Sequence, residues 1–435
     1  MGGIPALTGG TLRVSPLDIM AKSSGDRLQV IVIGAGPAGL MAAGEAAGGG
    51  AAVALLDGED RPGKKLLLTG KGRCNLSNTL PLERFLEGFG ANGVFLRNAC
   101  HRFFSGQLRE FFAGIGVETA IERGGRIYPA RGGAAAVLDA LLTWVGKRNV
   151  RVLTGRRVTR VTLEPDGHFL VAGAGFAEHA DRVVLAVGGA SYPQTGSRGD
   201  GYRIAAALGH HIVAPRPALV PVVCREAFFK RLAGLKLRNV KLVACPAGHP
   251  AIESFGEVHA TPFGISGPAV FPVSAAIGLL AAATPVPLLI NLKPALDVAT
   301  LEARIDREMN SLASRTTTTA LATLLPRQLI PVFLEIAGLD GALAAVKAGR
   351  AARVRIRELL QAFPCTAVGT LPIAHGMATA GGVDLREVHP VTMGSRLVPG
   401  LYFAGEVLDL DGDTGGYNLQ AAFTTGHLAG KAAAA

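Results

Sequence analysis

At 435 residues the chain is too long for one average domain, and 49% hydrophobic content with a mean hydropathy of +0.34 excludes wholesale disorder. The net charge of +11 allows a polyanionic partner, or simply marks a basic enzyme surface. Cys74, Cys100, Cys224, Cys245 and Cys365 are scattered with no CxxC, which argues against a metal site, a disulfide framework or a redox pair and fits a reducing cytoplasm.

Residues 1–26 lack a basic segment followed by an apolar one, so they read as a loose N-terminal extension, with Met20 an alternative start. Leu28 to Ile33 is a short apolar run rich in β-branched residues, as expected of a strand buried on both faces. Gly34-Ala-Gly36-Pro37-Ala38-Gly39 then turns the chain into a helix over 40–47, and Ala51 to Leu56 is a second strand ending at Asp57. This is a βαβ unit with the dinucleotide fingerprint. Gly34 permits the tight turn, Gly36 admits a pyrophosphate, and Gly39 lets helix and strand pack closely. The pyrophosphate would rest on the helix N-terminus, and Asp57 would accept from ribose hydroxyls.

Residues 58–78 are dense in Gly, Lys and Arg and poor in periodicity, so they are expected to form a loop. Lys64, Lys65, Lys71 and Arg73 bring positive charge towards the pyrophosphate. Lys64 and Lys71 read as solvated. Two helices are expected within 81–116, a short strand at Arg126 to Pro129, a helix over 134–145, and strands over 150–160 and 169–171. Arg182 to Val187 is a further buried strand ending in Gly188-Gly189, and residues 191–211 form a polar Gly-rich loop leading into a helix.

From Pro215 the composition changes to short β-like runs at 219–224, 240–245 and 286–292. The most apolar stretch, Ala275 to Ile290, is broken by Pro285 and Pro287 and falls short of the roughly 18 apolar residues of a spanning helix. Residues 297–362 turn helical and carry Arg350, Arg353, Arg355 and Arg357, a cluster that is usually a solvated helix face. Leu401 to Ala404 is a last buried strand. It runs into Gly405-Glu406, then Asp409, Asp411 and Asp413, read as a solvated turn rather than a cation site. Gly415-Gly416-Tyr417-Asn418-Leu419 opens the final helix, whose N-terminus favours negative charge.

These stretches together resemble one flavoprotein family, that of BaiN-like, RdsA-like and aminoacetone-oxidase-like FAD-binding enzymes. The matching text is IVIGAGPAGLMAA, KKLLLTGKGRCNLSN, AVGGASYPQTGSRGDGY, FGISGP, TAGGV and LYFAGEVLDLDGDTGGYNLQAAFTTG, spread from about residue 28 to about residue 430. The resemblance implies an α/β fold: a Rossmann-like two-part FAD-binding domain with an inserted β-barrel-like domain and a small helical subdomain. It places the FAD domain at 27–212 and 366–435, the β-rich insertion at 213–296 and the helical piece at 297–365. Gly34, Gly36, Pro37, Ala38, Gly39 and Asp57 would hold the ADP half of FAD. Lys65, Arg73, Cys74, Asn75 and Val158 would join them. Ala186, Gly188, Gly189, Gly405, Glu406, Gly416, Tyr417, Asn418 and Leu419 would complete the site, with Glu406 on a ribityl hydroxyl. Two positions depart from the family: Asp57 stands where Glu is commoner, and AHGMA at 374–378 is unlike the usual acidic stretch.

The implied activity is that of a FAD-dependent oxidoreductase moving hydride between flavin N5 and a substrate held between the FAD domain and the insertion. No second fingerprint is present, so NAD(P)H would reach the flavin through the substrate's opening. Cys74 is the candidate proton donor, on the argument that its basic loop lowers its pKa. The family also includes ribosomal RNA dihydrouridine synthesis, amine oxidation and ene-reduction of steroid-like molecules. A non-catalytic FAD- and RNA-binding protein is the other class. Arg151, Arg156, Arg157 and Arg160, with the 350–357 cluster, are compatible with an RNA backbone. No membrane or metal partner is expected, and the expected location is cytoplasmic.

Overall fold

The computed structural model describes residues 18–19 and 27–435. The expected N-terminal extension lies outside the described residues, except that Asp18–Ile19 pairs in parallel with Phe176–Ala177. The expected βαβ unit is present: strand Gln29–Ile33, helix Pro37–Gly48, strand Ala52–Leu56. These strands sit inside a five-stranded parallel sheet ordered Leu401–Phe403, Arg182–Leu185, Gln29–Ile33, Ala52–Leu56, Arg151–Leu153. Continuous apolar runs are required because helices cover the sheet, and Val30, Val32, Leu55, Leu56, Val183 and Val184 are all buried.

The fingerprint helix packs along the C-terminal helix Tyr417–Ala433, which closes the domain from the far end of the chain. Gly426 and Gly430 permit that approach: a Cβ there would stand 2.4 Å from Ala38 O and 2.3 Å from Ala42 O. The strand expected over 150–160 is two strands. Arg151–Leu153 extends the parallel sheet, while Val158–Leu163 enters an antiparallel sheet with Phe169–Gly173 and Phe176–Ala180. Between them Gly155, with φ +67°, turns the chain, and Gly155 N and Arg156 N donate to Glu59 O and Asp57 O at 2.8 Å.

The loop expected over 58–78 is corrected at two places. Lys64–Leu68 is a short helix and Ser77–Asn78 a strand that pairs with Arg126–Pro129 and, through it, with Thr119–Glu122. One turn carries too little periodicity to read. It is fixed by tertiary contact, with Leu66 buried and Gly63 N donating to Ala35 O at 3.0 Å.

The β-rich segment closes into a six-stranded barrel in the order Val222–Cys224, Gly264–Ser266, Ile252–Thr261, Lys236–Ala244, Val286–Asn291, Phe363–Thr370. The helix Phe271–Ala281 lies within this segment and occupies part of the apolar stretch at 275–290. Helices Val298–Ser311, Ile330–Ala337 and Arg350–Gln361 bury Leu301, Phe333 and Leu359 in the same core as the barrel residues Leu242 and Leu288. The boundary expected at 365/366 falls inside the barrel strand Phe363–Thr370. An antiparallel ribbon, Ile212–Ala218 with Ala378–Val383, carries the chain out to the barrel and back.

Candidate active site

A cleft with about 1460 Å³ of empty space, open to solvent, runs across the C-terminal ends of the parallel strands. This is where ligands bind in open α/β sheets. Gly34, Gly36, Pro37 and Ala38 form one wall. The fingerprint helix begins at Pro37 with no side chain capping its N-terminus, so its first N–H groups face the cleft. A Cβ on Gly36 would meet nothing within 4 Å, whereas one on Gly39 would stand 1.8 Å from Gly34 O. Gly36 therefore leaves a cradle for a ligand, and Gly39 serves helix–strand packing, lying behind the wall.

Asp57 lines the cleft and is held by backbone: Oδ2 accepts from Ala35 N at 2.6 Å and Oδ1 from Glu59 N at 2.8 Å. Burial raises its pKa, opposed by those two N–H donors. Beside it Glu59 accepts from Lys64 at 2.7 Å and Arg198 at 3.1 Å, so Lys64, read as solvated, is an ion-pair partner at the cleft wall. Val158 lines the same end.

At the middle of the cleft the two ends of the chain meet. Lys65 Nζ donates to Glu406 Oε2 and Ser191 Oγ, both at 2.6 Å. Glu406 Oε1 accepts from Thr379 N at 2.8 Å and Ser191 Oγ at 3.1 Å. Thr379 Oγ1 in turn accepts from Ala190 N at 2.9 Å. Ala186, Gly188, Gly405, Asn418 and Leu419 complete this part of the wall, and Gly189 packs just behind it against Thr379. Ser191 and Thr379 lie in the matching stretches AVGGASYPQTGSRGDGY and TAGGV, but nothing in those stretches singles them out as site residues. Only their folded neighbours identify them.

Besides Gly39 and Gly189, five expected contacts lie off the cleft lining. Tyr417 stacks on Phe85 with centroids 4.6 Å apart, and Gly416 abuts Ser77. Arg73 pairs with Glu122 and lies over the Tyr128 ring at 4.3 Å. Asn75 Oδ1 is buried with no hydrogen-bond partner, an acceptor awaiting a donor. Cys74 has a left-handed φ of +62° and its thiol is wholly buried. The expectation of a lowered Cys74 pKa is corrected: burial pushes it up to about 12. Arg73, the nearest cation in sequence, is turned to Glu122.

The family described as HI0933-like protein Rossmann domain matches residues 28–432. The chain belongs to this family. It is 34% identical over 406 residues to the 3-dehydro-bile acid delta(4,6)-reductase of Clostridium scindens, covering 93% of this chain and 98% of that one. It is 29% identical over 405 residues to the ribosomal RNA dihydrouridine synthase of Escherichia coli, covering 92% and 96%. The fold is shared with 3-ketosteroid-delta4-(5alpha)-dehydrogenase from Rhodococcus jostii, at TM-score 0.50 and 18% identity, covering 95% and 99%. This family member is a FAD-dependent oxidoreductase with a Rossmann-type FAD domain and an inserted barrel. The residues present fit FAD: the open cradle at Gly36 and the uncapped helix N-terminus beside it are completed by a dinucleotide. No helix among the described residues is long and apolar enough to cross a membrane, and none of their His, Cys, Asp and Glu side chains group as a metal site.

Proposed function

We propose that the enzyme reduces a carbon–carbon double bond conjugated to a carbonyl in an apolar substrate, with NAD(P)H as electron donor. The observation that carries this reading is the far wall of the cleft. There the lining ends on Met377, 45% exposed, and Ala378. Ala378 belongs to an apolar cluster with Ala218, Leu219, Ala380 and Phe271, where the ribbon meets the barrel. The reductase relative named above acts on a 3-oxo compound with double bonds in that conjugation.

FAD bound in the cleft supplies the hydride chemistry. The fingerprint N-terminus and Asp57 would hold its ADP half, and the Lys65–Glu406–Ser191–Thr379 network would fix its ribityl chain. The apolar wall would exclude water from the reacting carbons. Conjugate reduction also needs a proton at the carbon next to the carbonyl. Asp411 follows Leu410 of the cleft wall, and burial, reinforced by the Asp409 charge, pushes its carboxyl up to about 6.

Uridine offers the same conjugated double bond, so RNA reduction differs in substrate rather than chemistry. The arginines that would meet RNA are largely taken. Arg151 pairs with Glu178, Arg157 with Asp200, Arg353 with Asp306 and Arg357 with Glu302. Arg156 lies over Phe176. The small apolar substrate is therefore preferred. The test is an anaerobic titration: NADPH should bleach the visible flavin band, and a steroid 4-en-3-one should restore it while gaining two hydrogens. A band that NADPH bleaches and no enone restores would overturn the reading.

A further inference from the structure

The chain has six methionines, of which Met41, Met309, Met377 and Met393 lie among the described residues. Met41, Met309 and Met393 are wholly buried, whereas Met377 is 45% exposed and lines the cleft. Cys74, Cys100, Cys224 and Cys365 are buried as well. Met377 and the half-buried Cys245 are therefore the accessible sulfur-bearing side chains among the described residues. The backbone at Met377 is pinned on both sides. Its N–H donates to Leu219 O at 3.2 Å, and Thr379 N donates to Glu406 Oε1 at 2.8 Å. Gly376 before it is wedged among carbonyls, since a methyl group built there would lie 2.9 Å from Ala218 O and 3.0 Å from Ala378 O. The thioether can change rotamer, but the chain cannot carry it away from the cleft wall. Behind that wall lies the apolar cluster of Ala218, Leu219, Ala378 and Ala380.

We propose that Met377 is an oxidation site, at which hydrogen peroxide converts the thioether to a sulfoxide and lowers the affinity of the cleft for its apolar substrate. The proposal rests on the substrate reading above and adds to it a reversible control. In the step an S–O bond forms and the peroxide O–O bond breaks. Sulfur gives up an electron pair, the peroxide is reduced, and water leaves. The product is a polar group that holds water in the place where the wall would shed it against an apolar ring. Leucine has nearly the same bulk and cannot undergo the reaction.

The test treats the holoenzyme with hydrogen peroxide, removes the excess with catalase, and reads the digest by mass spectrometry. The peptide carrying Met377 should gain one oxygen in the native protein, and those carrying Met41, Met309 and Met393 only after unfolding. The KM for a steroid 4-en-3-one should rise about tenfold with kcat within twofold, the pattern of lost ground-state binding. Methionine sulfoxide reductases acting on both epimers should bring the KM back. Met377→Leu, whatever its own KM, should show the same value before and after peroxide, which separates Met377 from Cys245. Met377 left unoxidised in the native protein, or oxidised with the KM unmoved, would overturn the proposal. So would an equal rise of KM in peroxide-treated Met377→Leu. Untreated enzyme that turns over no enone would instead overturn the substrate reading, even with Met377 selectively oxidised.

Discussion

Cys74 and Asp411 show that burial, more than neighbouring charge in the sequence, sets the protonation of this site. Lys71 and Arg73 precede Cys74, but Arg73 is turned to Glu122 and Tyr128. The shielded thiol is left protonated. Cys74 should therefore resist iodoacetamide at pH 8 in the native protein and react after unfolding, and Cys74→Ala should keep flavin reduction within about threefold. Asp411 behaves in the opposite functional sense. Its pKa is raised from 3.8 to about 6 by burial first and the Asp409 charge second, with Arg216 opposing. The folded state thus holds this proton more tightly than the unfolded chain, so the group's contribution to stability is favourable at low pH and is lost as pH rises from about 4 to about 6. Asp411→Asn should stabilise the holoenzyme by about 1–2 kcal/mol at pH 7.5, by denaturant unfolding. A variant less stable than the parent at that pH would contradict the raised pKa.

The fingerprint element was legible because each glycine has one steric task and the flanking strands are continuous apolar runs. Its glycines also separate binding from folding. Gly36→Ala would put a methyl group into open space in the cleft, so the protein should fold with a Tm within about 2 °C of the parent and bind FAD at least a hundredfold more weakly. Gly39→Ala would drive a Cβ to 1.8 Å from Gly34 O and should not yield folded protein, as read by circular dichroism. Equal FAD affinity in Gly36→Ala would remove the pyrophosphate from that cradle. The turn at Lys64–Leu68 was not legible, since five residues carry no period. Its consequence, Lys65 reaching Glu406 across 341 positions, exists only in the folded chain. Arg73 and Tyr417 lie off the cleft lining for a related reason. A motif fixes which residues lie near a site, and local partners, Glu122 and Phe85, decide which way they face.

At the scale of the whole molecule, two cores divide the work. One buries the parallel sheet beneath the paired fingerprint and C-terminal helices, and the other fills the barrel together with the helices of 298–361. The composition switch near 215 announced the second core, but closure of six strands depends on pairings such as Val222 with Thr370, which no local pattern encodes. The proposed function has the cofactor held by the chain's two ends and the substrate met by the ribbon and barrel between them. Several arginines of the clusters compatible with RNA are engaged in ion pairs in the folded protein, while the net charge of +11 is left over after any pairing. The most direct test of this account is a stopped-flow competition for the anaerobically reduced enzyme. A 4-en-3-one should reoxidise the flavin at least a hundredfold faster than a uridine-containing ribosomal RNA fragment at equal concentration, with one enone consumed per flavin. Reoxidation by the RNA and none by the enone would contradict it.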